Sequence, residues 1–486
     1  MRQIMAEIIH TDICIIGGGS GGLTVAAGAV QMGAKTVLFE RGKMGGDCLN
    51  TGCVPSKALL AAGKVAKAAT GNPAMGIHPH ADPEIDFAAV KAHVTGVIAD
   101  IAPHDSVERF TALGVKVIEA EAQFESAHVI RADTSDGPVR VSARFFVIAT
   151  GSHSWAPSID GLNSVPSYTN ETIFDLQERP DHLLIIGGGP TGIEMAQAHC
   201  RLGCKVTVIE AFTIMGRDDS DLVKRLKKQL REEQIVLIEK TKIIRISKQT
   251  KSICIELADG HSVQGSHLLI AAGRRPNLEG LCLDAAKIDF TTKGITTDKR
   301  LRTSQKHIFA IGDVTGRQQF THVASYHANI VIRNMLFRLP AKLNDDLIPW
   351  VTYTDPELAH VGLTWGEAIE RYTETSLRQV DWELNENDRA RAERRAEGII
   401  RVITTKNGKI LGVSILAPHA GEMIHIWVLA VTKGMKIQAI AEAIAPYPSW
   451  SEASKRAASA HFTAQLFSKR TQKLVKFLLK FTKQKG

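Results

Sequence analysis

The apolar run Ile13-Cys14-Ile15-Ile16 enters a glycine turn, and a second apolar run, Thr36 to Phe39, follows after a helix-length interval. Short apolar runs bounded by turn residues read as buried strands. The design recurs further on, where Ile185-Ile186 enters Gly187-Gly188-Gly189 and Val206 to Ile209 follows. Val147 to Ser152 reads as a strand ending in a small-residue turn, and Leu268 to Asn277 repeats it before the stop at Pro276. Ile308 to Asp313 is another strand, delivering an acid into a turn. From about residue 346 the pattern changes to alternating strands, Gly398 to Thr404 and Leu411 to Leu416, followed by the helical run Ala420 to Thr432. The fold class expected is α/β, two Rossmann-like dinucleotide-binding domains plus a C-terminal α+β domain.

Displacing the chain against itself by 170 residues makes the repeat explicit. Gly17, Gly19 and Gly22 fall on Gly187, Gly189 and Gly192, Gly33 falls on Gly203, and Glu40 falls on Glu210. In a βαβ unit the first glycine allows the tight turn, the second lets backbone approach a diphosphate, and the third lets helix lie close on strand. The helix N-terminus offers free N–H groups to the phosphates. Glu40 and Glu210, each 18 residues beyond the third glycine, are placed to accept hydrogen bonds from a ribose. One such motif is weak, but two in register with matching acids are specific.

Composition excludes several classes. The 486 residues suffice for about three domains, and 44% apolar with 23% charged residues is a globular balance. No apolar run approaches the roughly 18 residues needed to span a bilayer, and the start has no secretory signal pattern, so the expected compartment is the cytoplasm. The formal charge is +8, but the last 24 residues hold seven of it, in Lys469, Arg470, Lys473, Lys476, Lys480, Lys483 and Lys485. The body is nearly neutral, which argues against a nucleic-acid partner. Seven cysteines are too few for a disulfide scaffold. Cys14, Cys200, Cys204, Cys254 and Cys282 read as small buried apolar residues, and His78-Pro79-His80 as solvated loop, so no metal is assigned.

Cys48 and Cys53 are different. They lie in Gly45-Gly46-Asp47-Cys48-Leu49-Asn50-Thr51-Gly52-Cys53-Val54-Pro55-Ser56-Lys57, shortly after the first ribose acid. Residues five apart in a regular helix are about 8–9 Å between Cα atoms, beyond the roughly 7 Å that a disulfide tolerates. Gly52 and Pro55 supply the means to distort such a helix, and a strained bridge opens easily.

Taken together, the two glycine motifs, the Cys-x4-Cys segment with Pro-Ser-Lys behind it, the Thr150-Gly151 turn, the Gly273 turn, Gly312-Asp313 and the C-terminal domain resemble the flavoprotein pyridine nucleotide-disulfide reductase family. The resemblance runs from about residue 8 to 460, and the sequence looks most like its mercuric-reductase-like or dihydrolipoamide-dehydrogenase-like branch. It implies an FAD domain in 1–155 and 277–345, an NAD(P) domain in 156–276, a homodimer formed through 346–462, and a basic tail in 463–486. It further implies that Cys53 is the thiol facing the flavin and Cys48 the one that exchanges with substrate. Lys57 matches the family's lysine beside the flavin, Glu194 its partner, and Asp313 the acid on the ribityl chain.

One position departs from that pattern. Where dithiol-oxidising members carry a His-Pro-x-x-x-Glu segment reaching into the partner's site, this chain has Tyr447-Pro448 and Glu452. A phenol titrating near pH 10 is a poor general base at neutrality. A tyrosine here is shared with mercuric reductases, yet no cysteine follows Cys282 to deliver Hg(II). The function expected is NAD(P)H-dependent reduction of a small-molecule disulfide or a soft metal ion, with dihydrolipoamide dehydrogenase as the enzymatic alternative and a membrane-associated electron carrier or scaffold using the basic tail as the alternative of another class. Glu210 favours NADH over NADPH because it would repel a 2′-phosphate. The tail, with Leu466, Phe467, Leu474, Phe477, Leu478 and Phe481 among its cations, is expected either to dock on its own subunit or to touch a membrane surface.

Overall fold

The computed structural model describes residues 8–79, 81 and 83–481, so His80, Lys483 and Lys485 lie outside the described residues. Two compact units divide the chain, one of residues 1–214 and 233–344 and the other of 215–232 and 345–486.

In the first unit the runs read from sequence become parallel strands. Lys116–Glu119, Thr36–Glu40, Ile8–Ile16 and Gly137–Ile148 lie side by side in that order, and Ile308–Ala310 pairs with the last. Gly137–Ile148 is long enough to belong also to an antiparallel meander with Val129–Thr134 and Ala122–Ser126. The interior strands are buried on both faces: Ile13, Cys14, Ile15, Leu38, Phe146, Val147 and Ile148 are fully buried. That is why they read as continuous rather than alternating apolar runs. The second dinucleotide motif builds a smaller parallel sheet in the order Val236–Glu239, Lys205–Glu210, His182–Ile186, His267–Ile270, beside a three-stranded antiparallel sheet.

The chain leaves the first sheet through Ser152–Ser154 and returns through Arg274–Pro276, and these two crossings pair antiparallel. Thr150 Oγ1 donates to Asn277 O at 2.9 Å, and Asn277 Nδ2 donates back to Thr150 O at 2.8 Å. Trp155 N–H donates to Gly273 O at 3.0 Å. The Thr-Gly and Ala-Gly turns seen in the sequence thus open and close one paired crossover.

The second unit is a five-stranded antiparallel sheet, Trp350–Thr352, Glu357–Gly362, Ile410–Ala417, Ile399–Thr405 and Leu377–Glu383 in spatial order. Helices cover one face, and Trp427, fully buried, donates from Nε1 to Ser454 Oγ at 3.1 Å. The helical run expected from Ala420 breaks briefly at Ile424.

Segment 215–232 groups with this second unit although its sequence neighbours belong to the nucleotide-binding repeat. Its Asp219 meets Arg401 at 2.8 Å, and Asp221 and Asp381 take the same guanidinium at 3.1 and 2.8 Å. Trp350 Nε1 donates to Asp218 at 2.7 Å, and Arg217 stacks on the Trp350 ring.

Candidate active site

Each glycine turn closes as the repeat requires. A Cβ on Gly17 would lie 2.4 Å from Ala149 O, and one on Gly187 would lie 2.3 Å from Ala271 O. The helices that follow, Ser20–Gln31 and Pro190–Arg201, start at Gly19 and Gly189 with no side chain capping their first N–H groups. Those donors are left for an anion. Glu40 accepts from Gly18 N–H at 2.6 Å and Gly42 N–H at 2.7 Å. Glu210 does the same with Gly188 at 2.7 Å and Phe212 at 2.9 Å. Two backbone bonds fix each carboxylate while leaving lone pairs for ribose hydroxyls. Uncapped helix ends behind glycine lips, with anchored acids beside them, fit two dinucleotides.

The segment holding the cysteine pair folds as a broken helix. Gly46–Asn50 carries Cys48, the chain bends at Thr51-Gly52, and Cys53–Ala69 begins at the second cysteine. Gly52 is required at the break, because a Cβ there would lie 2.9 Å from Asp47 O. The distortion foreseen at Gly52 is present, and the two thiols lie close enough to influence each other's ionisation. Cys53, solvent-exposed on one side, is lowered from the ordinary 9.0 to about 6 by its interaction with Cys48, against the desolvation by its surroundings, with help from the Thr321 hydroxyl and the Lys57 charge. Cys48 is pushed up by that same interaction, by burial and by the Cys53 charge. These opposite shifts favour the thiolate on Cys53 and the thiol on Cys48.

Geometry reinforces this polarity. Cys53 is the first residue of its helix, so the dipole favours a thiolate there. Thr321 Oγ1, at the start of the Thr321–Met335 helix, is 3.2 Å from Cys53 Sγ. Sequence reasoning missed Thr321, which lies 268 positions away behind no recognisable motif.

Lys57 Nζ meets Glu194 Oε2 at 2.8 Å. The two residues come from different glycine-motif modules, joined where the Cys53–Ala69 helix crosses Pro190–Arg201. Gly63 permits the crossing, since a Cβ there would already be 3.2 Å from Ala198 O. Glu194 is buried and Lys57 half-exposed. Arg201, also on the second helix, makes a buried pair with Glu233 at 2.7 Å.

Asp313, held above the usual carboxylate range by burial, accepts from Ser152 Oγ at 2.6 Å. Arg274 donates to Ser152 Oγ at 2.7 Å and reaches Asp47 at 3.3 Å. Asn170 Nδ2 donates to Asp47 at 2.9 Å and to Thr51 O at 3.2 Å. The crossover strands are therefore tied through Ser152, Arg274 and Asn170 to the residues flanking Cys48. None of the three stood out in the sequence, because each is an ordinary polar residue whose partners are distant in the chain.

In the second unit Tyr447 and Glu452 take separate partners. Tyr447 is exposed and its hydroxyl donates to Asp388 at 2.9 Å, which raises the phenol further. Glu452 is buried and accepts from Arg456 at 2.8 Å. Among the spare cysteines, Cys200 is only half-buried, donating to Glu233 O at 3.0 Å, and Cys282 departs fully from the expected burial. It is exposed and donates to Gln123 Oε1, because it occupies a left-handed turn position at the surface.

Residues 11–328 match the family described as pyridine nucleotide-disulphide oxidoreductase, and 348–458 match its dimerisation domain. A mercuric reductase from Streptomyces lividans is 35% identical over 92% of this chain and 96% of its own. One from Bacillus cereus is 32% identical, covering 92% and 70%. Among solved structures, a Cu(II) complex of the HOCl-induced flavoprotein disulfide reductase RclA from Escherichia coli superposes with a TM-score of 0.83 at 27% identity, over 93% of this chain and 99% of that one. LpdA from Mycobacterium tuberculosis gives 0.85 at 26%, over 92% and 99%. The two family matches together take in nearly the whole described chain, and the chain belongs to the pyridine nucleotide-disulphide oxidoreductases, enzymes that use FAD and a pyridine nucleotide.

Proposed function

We propose that this enzyme uses NADH to reduce a thiol-reactive acceptor at Cys48 and Cys53, a soft metal ion in preference to a disulfide. The observation that carries the reading is the cysteine pair combined with Tyr447, a phenol whose hydroxyl donates to Asp388 at 2.9 Å and which is a poor base for dithiol oxidation at neutral pH. Bound FAD supplies the two-electron relay between nicotinamide and disulfide. Gly19 and Gly22, with Glu40, would hold its diphosphate and ribose, and Asp313 its ribityl chain. Lys57, paired with Glu194, would face the isoalloxazine ring. Gly189, Gly192 and Glu210 would hold the nucleotide. Glu210 supports NADH, and Arg217, the nearby cation, is engaged on Trp350.

The chain's own steps follow from the proton inventory. Two electrons open the Cys48–Cys53 bridge to one thiolate and one thiol. A soft cation such as Hg(II) is held between both sulfurs, and its binding displaces the proton on Cys48. Two electrons then pass to the metal and the bridge re-forms, so that NADH and Hg(II) give NAD+, a proton and Hg(0). With Cu(II), two ions each take one electron. The mercuric reductase relatives and the Cu(II) complex of RclA support the metal as acceptor.

The test is anaerobic NADH oxidation by the purified enzyme with thiol-complexed Hg(II), Cu(II), glutathione disulfide and lipoamide as acceptors. Metal-dependent turnover that vanishes in both Cys48→Ser and Cys53→Ser is expected. Rapid oxidation of dihydrolipoamide by NAD+, with metal rates unchanged in Cys48→Ser, would establish the dihydrolipoamide dehydrogenase reading instead.

A further inference from the structure

We propose that the Lys469–Leu479 helix is an in-plane anchor on an anionic lipid surface. The Glu452–Leu466 helix before it is docked, burying Ala453, Ala457, Ala458 and His461. Docking stops there. Ser468 caps a new helix, its side chain accepting from Thr471 N–H, and this helix buries no residue. It also lies beyond residue 458, where the match to the dimerisation domain ends.

At about 100° per residue, Lys469, Lys473, Lys476 and Lys480 fall in a stripe roughly 60° wide. Leu474, Val475, Phe477, Leu478, Leu479 and Phe481 spread over roughly 200°, about twice the arc that a core-facing helix presents. All six are exposed, with Phe481 at 72% and Leu479 at 62%. Phe477 and Phe481 stand together on that side, ring centroids 5.1 Å apart. Arg470 and Thr471 interrupt the arc in the first turn, where a long cationic side chain can snorkel.

This distribution selects the occupant. A nucleic acid would pair with the lysines and leave the apolar arc in water. A single partner helix would cover about half of that arc. A lipid surface takes the whole arc into the acyl boundary while the lysine stripe meets anionic headgroups, and no acid stands between residues 463 and 486 to oppose them. Among the described residues no helix is long and apolar enough to cross a membrane, which agrees with a helix that lies in the surface.

The proposal is independent of the electron acceptor. Its test is flotation of the full-length holoenzyme with vesicles of phosphatidylcholine alone or mixed with phosphatidylglycerol. The enzyme is expected to float with the anionic vesicles only, and less at high salt. Deleting residues 469–486 should abolish flotation while leaving dimer mass and NADH-to-dye activity unchanged. Lys473→Gln with Lys476→Gln should weaken binding about 30-fold, and Phe477→Glu with Leu478→Glu should abolish it. No flotation of the full chain, equal flotation with both vesicle types, or flotation that survives the deletion overturns the proposal. A fall in oligomer mass on deletion without vesicle binding would show that a second copy covers the helix instead.

Discussion

Replacing Thr321 by valine tests the electrostatics of the cysteine pair with almost no change in shape. The substitution removes the hydroxyl 3.2 Å from Cys53 Sγ and keeps its volume. A hydrogen bond to a charged group contributes about 1.5–3 kcal/mol, and discounting for the exposure of Cys53 leaves about 1 kcal/mol, or about 0.7 pH unit. Because the folded thiol is depressed from 9.0 to about 6, its thiolate is present above pH 6 and is lost as pH falls through that value. The variant should lose it about 0.7 unit higher, so that near pH 6.5 the thiolate fraction drops from about three quarters to about two fifths. The assay is the long-wavelength absorbance of the two-electron-reduced enzyme, which reports a thiolate donating to bound flavin, titrated against pH. Thr321→Ser keeps the hydroxyl and should titrate as the parent does. An unchanged midpoint in Thr321→Val, or a shifted one in Thr321→Ser, would refute the assignment of Thr321.

Other expectations follow from single contacts. Cys53→Ser should abolish that absorbance and Cys48→Ser should retain it; the opposite pattern would exchange the roles of the two thiols. A Cβ at Gly22 would lie 1.9 Å from Gly17 O and one at Gly192 2.0 Å from Gly187 O, so Gly22→Ala should lose FAD while Gly192→Ala keeps FAD and loses NADH binding, both read by absorbance and equilibrium titration. Arg401→Met strands the buried Asp219 and should cost about 3 kcal/mol in urea unfolding, with no stability change sinking the idea that Arg401 holds segment 215–232. Mixing Cys53→Ser with an impaired Tyr447→Ala should restore part of the acceptor activity once subunits exchange, if Tyr447 of the partner subunit completes each site; verified exchange without recovery would remove Tyr447 from it.

Much of this protein was readable without coordinates because its elements are set by local rules. Apolar runs ending in glycine turns, offset by 170 residues, determined two dinucleotide-binding modules and the positions of Glu40 and Glu210. Gly52 between Cys48 and Cys53 announced a broken helix, since only a residue without a Cβ avoids Asp47 there. The surroundings of the cysteine pair were not local. Thr321 reaches Cys53 from a helix 268 residues away and adds to the effect of the neighbouring Cys48, and Asn170, Arg274 and Ser152 tie the Asp47 turn to the crossover strands through contacts that no periodicity encodes. The same holds for segment 215–232, which a buried arginine, rather than its place in the repeat, assigns to the second unit. Spacing along the chain specifies turns, helices and strands, because these depend on neighbours in sequence. The charge state of a thiol or the allegiance of a helix depends on which distant groups the fold brings within hydrogen-bonding reach, and only the tertiary structure supplies that.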